Sequence, residues 1–150
     1  FKGHDIYREI MNDLQYTVKQ SNKAGKRCVE ITLDVRVKAY VRQTRGSRYR
    51  TDSHGKYVRE YNDNQGMLRD IFNLLMQKEN IETFGKVPLG FSMVVEGPTC
   101  NRPDLSNYIK AVEDAANRSL WIDDRYVQEF GECRKIKADE DRLYIKIREL

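Results

Sequence analysis

The sequence predicts an α+β fold: a single domain with an N-terminal helix followed by β-α-β-α-β-β, closing into a mixed β-sheet. Three patterns carry that expectation. Apolar residues recur at helical spacing over 5–20, over 57–77 and after Pro103. They alternate strictly over 29–40. Apolar runs of strand length near 89–95, 126–135 and the far end of the chain lie between turn signals.

In chain order, Ile6, Ile10, Leu14 and Val18 recur every fourth residue and predict a helix over 5–20, which Asn22-Lys23-Ala24-Gly25-Lys26 interrupts. Ile31, Leu33, Val35, Val37 and Ala39 then share one face of a strand over 29–40. Leu68, Ile71, Phe72, Leu75 and Met76 point inward from a helix over 57–77. A strand over 89–95 stops at Gly97-Pro98, and a helix starts at Asp104. Ser119-Leu120-Trp121-Ile122 closes that helical segment, and a strand over 126–135 follows. The turn Ala138-Asp139-Glu140-Asp141 leads to a last strand through Leu143, Ile145 and Ile147. Residues 1–25 form a helical extension in this reading, and 26–150 the main domain. Such a helix alone is marginal, so it packs on the domain or reaches a partner.

A chain of 150 residues is long enough for one real core, and 39% hydrophobic with 33% charged residues describes a very soluble globular protein. No apolar run is long enough to span a bilayer and nothing resembles a signal peptide, so no membrane partner and a cytoplasmic location are expected. Cys28, Cys100 and Cys133 are odd in number and lack C-x-x-C spacing, which suits free thiols in a reducing compartment. His4 and His54 are too few for a zinc site. The absence of a Gly-rich phosphate loop argues against a nucleotide cofactor.

Charge is unevenly spread. Arg36, Lys38, Arg42, Arg45, Arg48, Arg50, Lys56 and Arg59 face Asp52 alone between 36 and 59, so this segment carries +7 while the whole chain carries +4. Tyr40, Tyr49 and Tyr57 are interleaved with these cations, and Gly46, Ser47, Ser53 and Gly55 predict a mobile loop. Arginines that grip phosphate bidentately, beside rings that stack, suit a nucleic-acid backbone. Lys38, Arg42, Arg45, Arg48, Arg50 and Lys56 are the DNA-contacting candidates.

The segment from Arg102 to Asp124 carries the chemistry. At about 100° per residue from Asp104, the apolar Leu105, Tyr108, Ile109, Val112 and Ala116 spread over one side of a helix. Asp104, Asn107, Lys110 and Asp114 gather on the other, with Ser106 beside Lys110, and Asp123-Asp124 returns at the next turn. Singly these are ordinary: Asp104 after Pro103 is a helix cap, Lys110 a solvated cation, Asp123-Asp124 turn acids. Together they suit a divalent cation acting on a phosphate.

This constellation resembles the RusA family of phage and bacterial Holliday junction resolvases, whose pattern runs D-x-D-N, x-x-K, an Asp four residues on, then D-D before a strand. Asp104, Asn107, Lys110, Asp114 and Asp123-Asp124 match it, while Ser106 stands where the family has a second ligand Asp. The motif covers about 102–135, strand order looks similar from about 29 onward, and residues 1–25 fall outside the likeness.

The resemblance implies Asp104 and Asp124 as ligands of Mg²⁺ or Mn²⁺, helped by Asp114 or Asp123, with Lys110 as catalytic cation and Asn107 among the DNA contacts. It implies a homodimer cutting branched DNA in a bacterial cell or phage-infected host. Two other readings stay open: a junction-binding protein whose cleavage is weak or lost because of Ser106, and an RNA-binding module.

Overall fold

A computed structural model gives the structure of the chain and describes residues 13–150. Strands β1 (Tyr16–Lys23), β2 (Lys26–Leu33), β3 (Leu89–Gly97), β4 (Val127–Lys137) and β5 (Arg142–Glu149) join helices α1 (Ser53–Glu79) and α2 (Leu105–Ala116). The strands form one sheet in the order β1-β2-β5-β3-β4. β3 and β4 run parallel and every other pair antiparallel, so the sheet is mixed, as expected. A parallel pair needs a crossover, and α2 lies in the one between β3 and β4.

Register explains the core. Val29, Ile147 and Phe91 lie opposite one another across β2, β5 and β3; so do Ile31, Ile145 and Met93, and Leu33, Leu143 and Val95. All are buried, while the residues between them are only half-covered. Leu68, Ile71, Phe72 and Leu75 of α1 and Tyr108, Ala111, Val112 and Ala115 of α2 belong to the same core. Alternation in the strands and helical spacing in the helices therefore converge on one apolar layer.

The expected N-terminal helix needs correction. Its first residues lie outside the described range, but Tyr16–Lys23 is a strand, paired along its length with β2. Ala24 and Gly25, with φ of 54° and 77°, make the two-residue turn that such a hairpin requires. Tyr16 and Val18 share a face at strand spacing as readily as Leu14 and Val18 share one at helical spacing. The end of α1 secures β1: the Tyr16 hydroxyl donates to Glu79 Oε1 at 3.0 Å, and Gln20 Nε2 to the Glu79 carbonyl at 2.9 Å.

The strand expected over 29–40 ends early, at Leu33. Its neighbour β5 is paired no further than Leu143, so the chain leaves the sheet there. Val35 and Val37 remain buried because the extended segment packs into the helical layer. Asn64 of α1 holds it, accepting from the Lys38 N–H at 2.9 Å and donating to the Arg36 carbonyl at 2.7 Å. The Tyr40 N–H donates to the Asn107 carbonyl at 2.9 Å. The basic segment is thus pinned between α1 and α2.

The expected mobile loop is shorter than its composition suggests. α1 begins at Ser53, capped by the Asp52 carboxylate accepting from the Gly55 N–H at 3.1 Å. Ser47 is buried, bonded at 2.8 Å to the Thr44 N–H and hydroxyl. Arg59 donates to the carbonyls of Arg48 and Arg50. A Cβ on Gly55 would lie 2.1 Å from the Arg50 carbonyl oxygen, so only glycine lets loop and helix approach this closely. Cys28, Cys100 and Cys133 are free. No helix among the described residues is long and apolar enough to cross a membrane.

Candidate active site

The core-facing side of α2 is made by Tyr108, Ala111, Val112, Ala115 and Ala116. Opposite them Ser106, Lys110, Glu113, Asp114 and Asn117 fall within about 100° of arc, at the three- and four-residue spacings that place side chains on one helix face. Lys110 Nζ lies 3.7 Å from Asp114 Oδ2 and 4.9 Å from the centroid of the Tyr40 ring. Tyr61 of α1 donates its hydroxyl to Asp114 Oδ2 at 3.5 Å and meets Tyr40 edge to face at 5.6 Å. Arg69 donates to the Asp114 carbonyl oxygen. Lys110 and Asp114, placed on one helix face in the sequence reading, are thus held beside the basic segment by two tyrosines.

Asp124 joins this group from the far side of a turn. Asn117, the C-cap of α2, accepts from the Trp121 indole N–H at 2.7 Å and donates to Asp124 Oδ2 at 3.3 Å. Trp121 is fully buried and stands edge to face with Phe91 at 5.2 Å. The position of Asp124 is therefore set from the core, through the indole and one amide. Asp123 serves mainly as a cap, accepting from the Arg125 N–H at 2.9 Å at the head of a short 3₁₀ turn, Asp124–Tyr126.

Asp104 does not meet Asp124 within the chain. It is the N-cap position of α2, while Asp124 contacts the C-cap. The 12 residues between span roughly 18 Å at about 1.5 Å rise per residue. β4 runs alongside and ties down the other end, Lys135 Nζ donating to the Pro103 carbonyl at 2.7 Å. The expectation that these two carboxylates share an ion in one chain fails because a whole helix separates them. Asp104 is exposed and makes no side-chain capping bond, so capping does not account for it either.

Sequence reasoning missed Glu113. Burial, and then the charges of Asp124 and Asp114, push its carboxyl up to about 7, against the opposing effect of Lys110. A spacing of three from Lys110 and four from Asn117 was the available signal; the burial was not. Among the described residues no three His, Cys, Asp or Glu side chains converge well enough to hold a metal ion. The donor chemistry still fits a hard dication: crowded carboxylate oxygens disfavour one another's ionisation, and Mg²⁺ is commonly held by one or two carboxylates with water and substrate phosphate.

Glu113 makes stability pH-dependent. An acid raised in the folded state favours folding while protonated, so stability falls as pH climbs from its ordinary 4.5 to about 7. Facing it are Asp124 from the turn, Asp114 and Lys110 from its own helix, and Cys133 of β4. In buffer containing a chelator, Glu113→Gln is expected to melt above the parent at about pH 8, with the gap closing near pH 5. Equal melting at both pH values would remove the strain ascribed to this carboxyl.

The expected DNA contacts divide. Lys38 Nζ pairs with Glu60 at 2.8 Å, and Lys56 lies 3.8 Å from the same carboxylate. Arg50 pairs with Asp52, and Arg48 stacks on Tyr49 at 4.8 Å. Arg42 and Arg45 are exposed and have no acid partner among the described residues. Asn107 joins the group through its backbone carbonyl.

No curated protein matches this chain. A family model, Endodeoxyribonuclease RusA, matches residues 4–148, taking in the β1–β2 hairpin, α1 and α2. With nearly the whole chain matched, this protein belongs to the endodeoxyribonuclease RusA family.

Proposed function

We propose that the protein is a divalent-metal-dependent endodeoxyribonuclease that resolves four-way and branched DNA junctions by phosphodiester hydrolysis, acting as a homodimer. The carrying observation is the family match over 4–148 in a chain that lines up Lys110 and Asp114 on one face of α2, with Asp124 at the C-cap beyond them. A four-way junction has near two-fold symmetry and needs two cuts, which a closed symmetric dimer supplies.

Asp124 and Asp114, with Glu113 beside them, are the residues that would hold Mg²⁺ or Mn²⁺. The chemistry supplied at these residues with such an ion bound would be Lewis-acid polarisation of the phosphate and a lowered pKa for water. Lys110, half-exposed and oriented by Asp114 and Tyr40, stabilises the charge that develops on the phosphoryl oxygens. Arg42 and Arg45, with Arg48 and Arg50, hold backbone phosphates and position the arms without reading sequence. Asn117 keeps the Asp124 carboxylate turned towards the helix.

The test is cleavage of a synthetic four-way junction in Mn²⁺. Asp124→Asn is expected to lose more activity than the roughly 10–100-fold cost of removing an outer-shell partner, and to keep junction binding in chelator. Ser106 favours a second reading. A neutral hydroxyl at a family ligand position, together with the lack of a convergent donor triad among the described residues, suits a junction-binding protein that cuts weakly. Gain of cleavage in Ser106→Asp supports the nuclease reading. Tight binding with no nicking at any enzyme concentration selects the second, and preference for RNA hairpins overturns both.

A further inference from the structure

A feature not used by that chemistry is a cavity of about 270 Å³ between the basic segment, α1 and the approach to α2. Arg36, Lys38, Tyr40, Tyr57, Glu60 and Tyr61 line it. It shares a wall with the candidate active site: Tyr40 carries Lys110 over its ring, and Tyr61 meets Tyr40 edge to face while bonding Asp114. A nucleotide in the cavity would therefore adjoin a phosphate at Lys110.

The lining selects the occupant. Tyr57 is 57% exposed and lines the cavity, so the face of its ring is open to a base. Glu60 is already occupied by Lys38 and Lys56, so it does not repel an anion, and Arg36 has no acid partner among the described residues. Stacking rings beside a free guanidinium match a base with its own phosphate. The volume lies just below the range of drug-sized sites, roughly 300–1,000 Å³, which limits the occupant to a single base.

We propose that this cavity receives one unpaired nucleotide from the branch point of the DNA, its base stacked on Tyr57 and its phosphate at Arg36. The proposal rests on the junction-resolving reading above and adds how a junction is told from a duplex. Drawing a base from an intact helix costs unstacking and unpairing, a cost that falls where stacking is interrupted, as it is where the arms of a branched DNA meet, and is least for a base already unpaired. The basic segment binds any duplex, and the cavity responds only where a base is loose.

The experiment uses the full chain in chelator with a four-way junction carrying 2-aminopurine at the branch point, and a matched duplex. Binding to the junction is expected to change the 2-aminopurine fluorescence, and binding to the duplex to leave it flat. Tyr57→Ala, at an exposed position where folding is unaffected, should abolish that change and weaken junction binding by about tenfold with duplex binding intact, whereas Tyr57→Phe, which keeps the ring, should behave as the parent. Parent-like binding and fluorescence in Tyr57→Ala, or an equal loss on both DNAs, overturns the proposal. A Tyr57→Phe variant that fails like the alanine overturns the stacking role. If the unaltered protein cuts junctions in Mn²⁺ while its fluorescence stays flat, the cavity proposal alone falls. If it neither binds nor cuts them, the junction reading falls with it.

Discussion

Lys110→Ala is expected to lower junction cleavage by roughly 10²–10³-fold in kcat, the cost of removing one preorganised stabiliser of developing charge. The ammonium sits between Asp114 Oδ2 at 3.7 Å and the Tyr40 ring at 4.9 Å, so it is aimed before any DNA arrives. Its side chain is 50% exposed, which leaves it open to a phosphate and makes its loss nearly neutral for folding, within about 0.5 kcal/mol. Single-turnover cleavage and thermal melting on one preparation check both statements. Binding should weaken modestly, with the salt slope falling by about one unit. An unchanged cleavage rate would take Lys110 out of the chemistry.

Trp121→Ala is expected to cost about 3–5 kcal/mol, because a fully buried indole leaves a cavity that its neighbours do not close. At roughly 2–4 °C per kcal/mol for a chain of this size, Tm falls by about 6–20 °C. The loss combines apolar burial, the edge-to-face contact with Phe91 and the 2.7 Å bond to Asn117. Trp121→Phe separates these contributions. It restores most of the ring packing and leaves the Asn117 amide without its indole partner. Melting should recover most of the way, while cleavage stays depressed because Asn117 no longer holds Asp124 in place. Full recovery of both would show that the indole acts through packing alone.

How far the fold was legible follows from particular residues. Val29, Ile31 and Leu33, Phe91 to Val95, and Leu143 to Ile147 alternate because one face of the sheet is buried, and that pattern is local. The same alternation at Val35 and Val37 misled: it reports an extended chain with one side covered, and it cannot report whether a neighbouring strand is there to pair. Leu14 and Val18 fitted a helix, while Tyr16 and Val18 fitted a strand equally well. Only the Ala24-Gly25 turn, with both φ positive, distinguishes them.

The site was legible to the same degree. Lys110 and Asp114 are one helical turn apart, so their pairing could be counted from the sequence. Asp104 and Asp124 flank a helix that the sequence does predict, but only the contact of Asp124 with Asn117 shows that the turn leaves it at the far end rather than carrying it back to the start. Glu113 escaped notice for a related reason. Its character comes from burial and from Asp124 across the turn, both products of tertiary packing.

The place of β5 in the sheet bears on how the molecule is made. It is the last strand in chain order, yet it lies centrally, hydrogen-bonded to β2 on one side and β3 on the other. During translation the earlier strands emerge with a gap where their shared neighbour belongs, and the gap closes only after Glu149 clears the ribosome exit tunnel. Contacts between distant parts of a chain form slowly. A chain that stops short of β5 therefore lacks the strand that joins β2 to β3, and the layer on which α1 and α2 pack is incomplete.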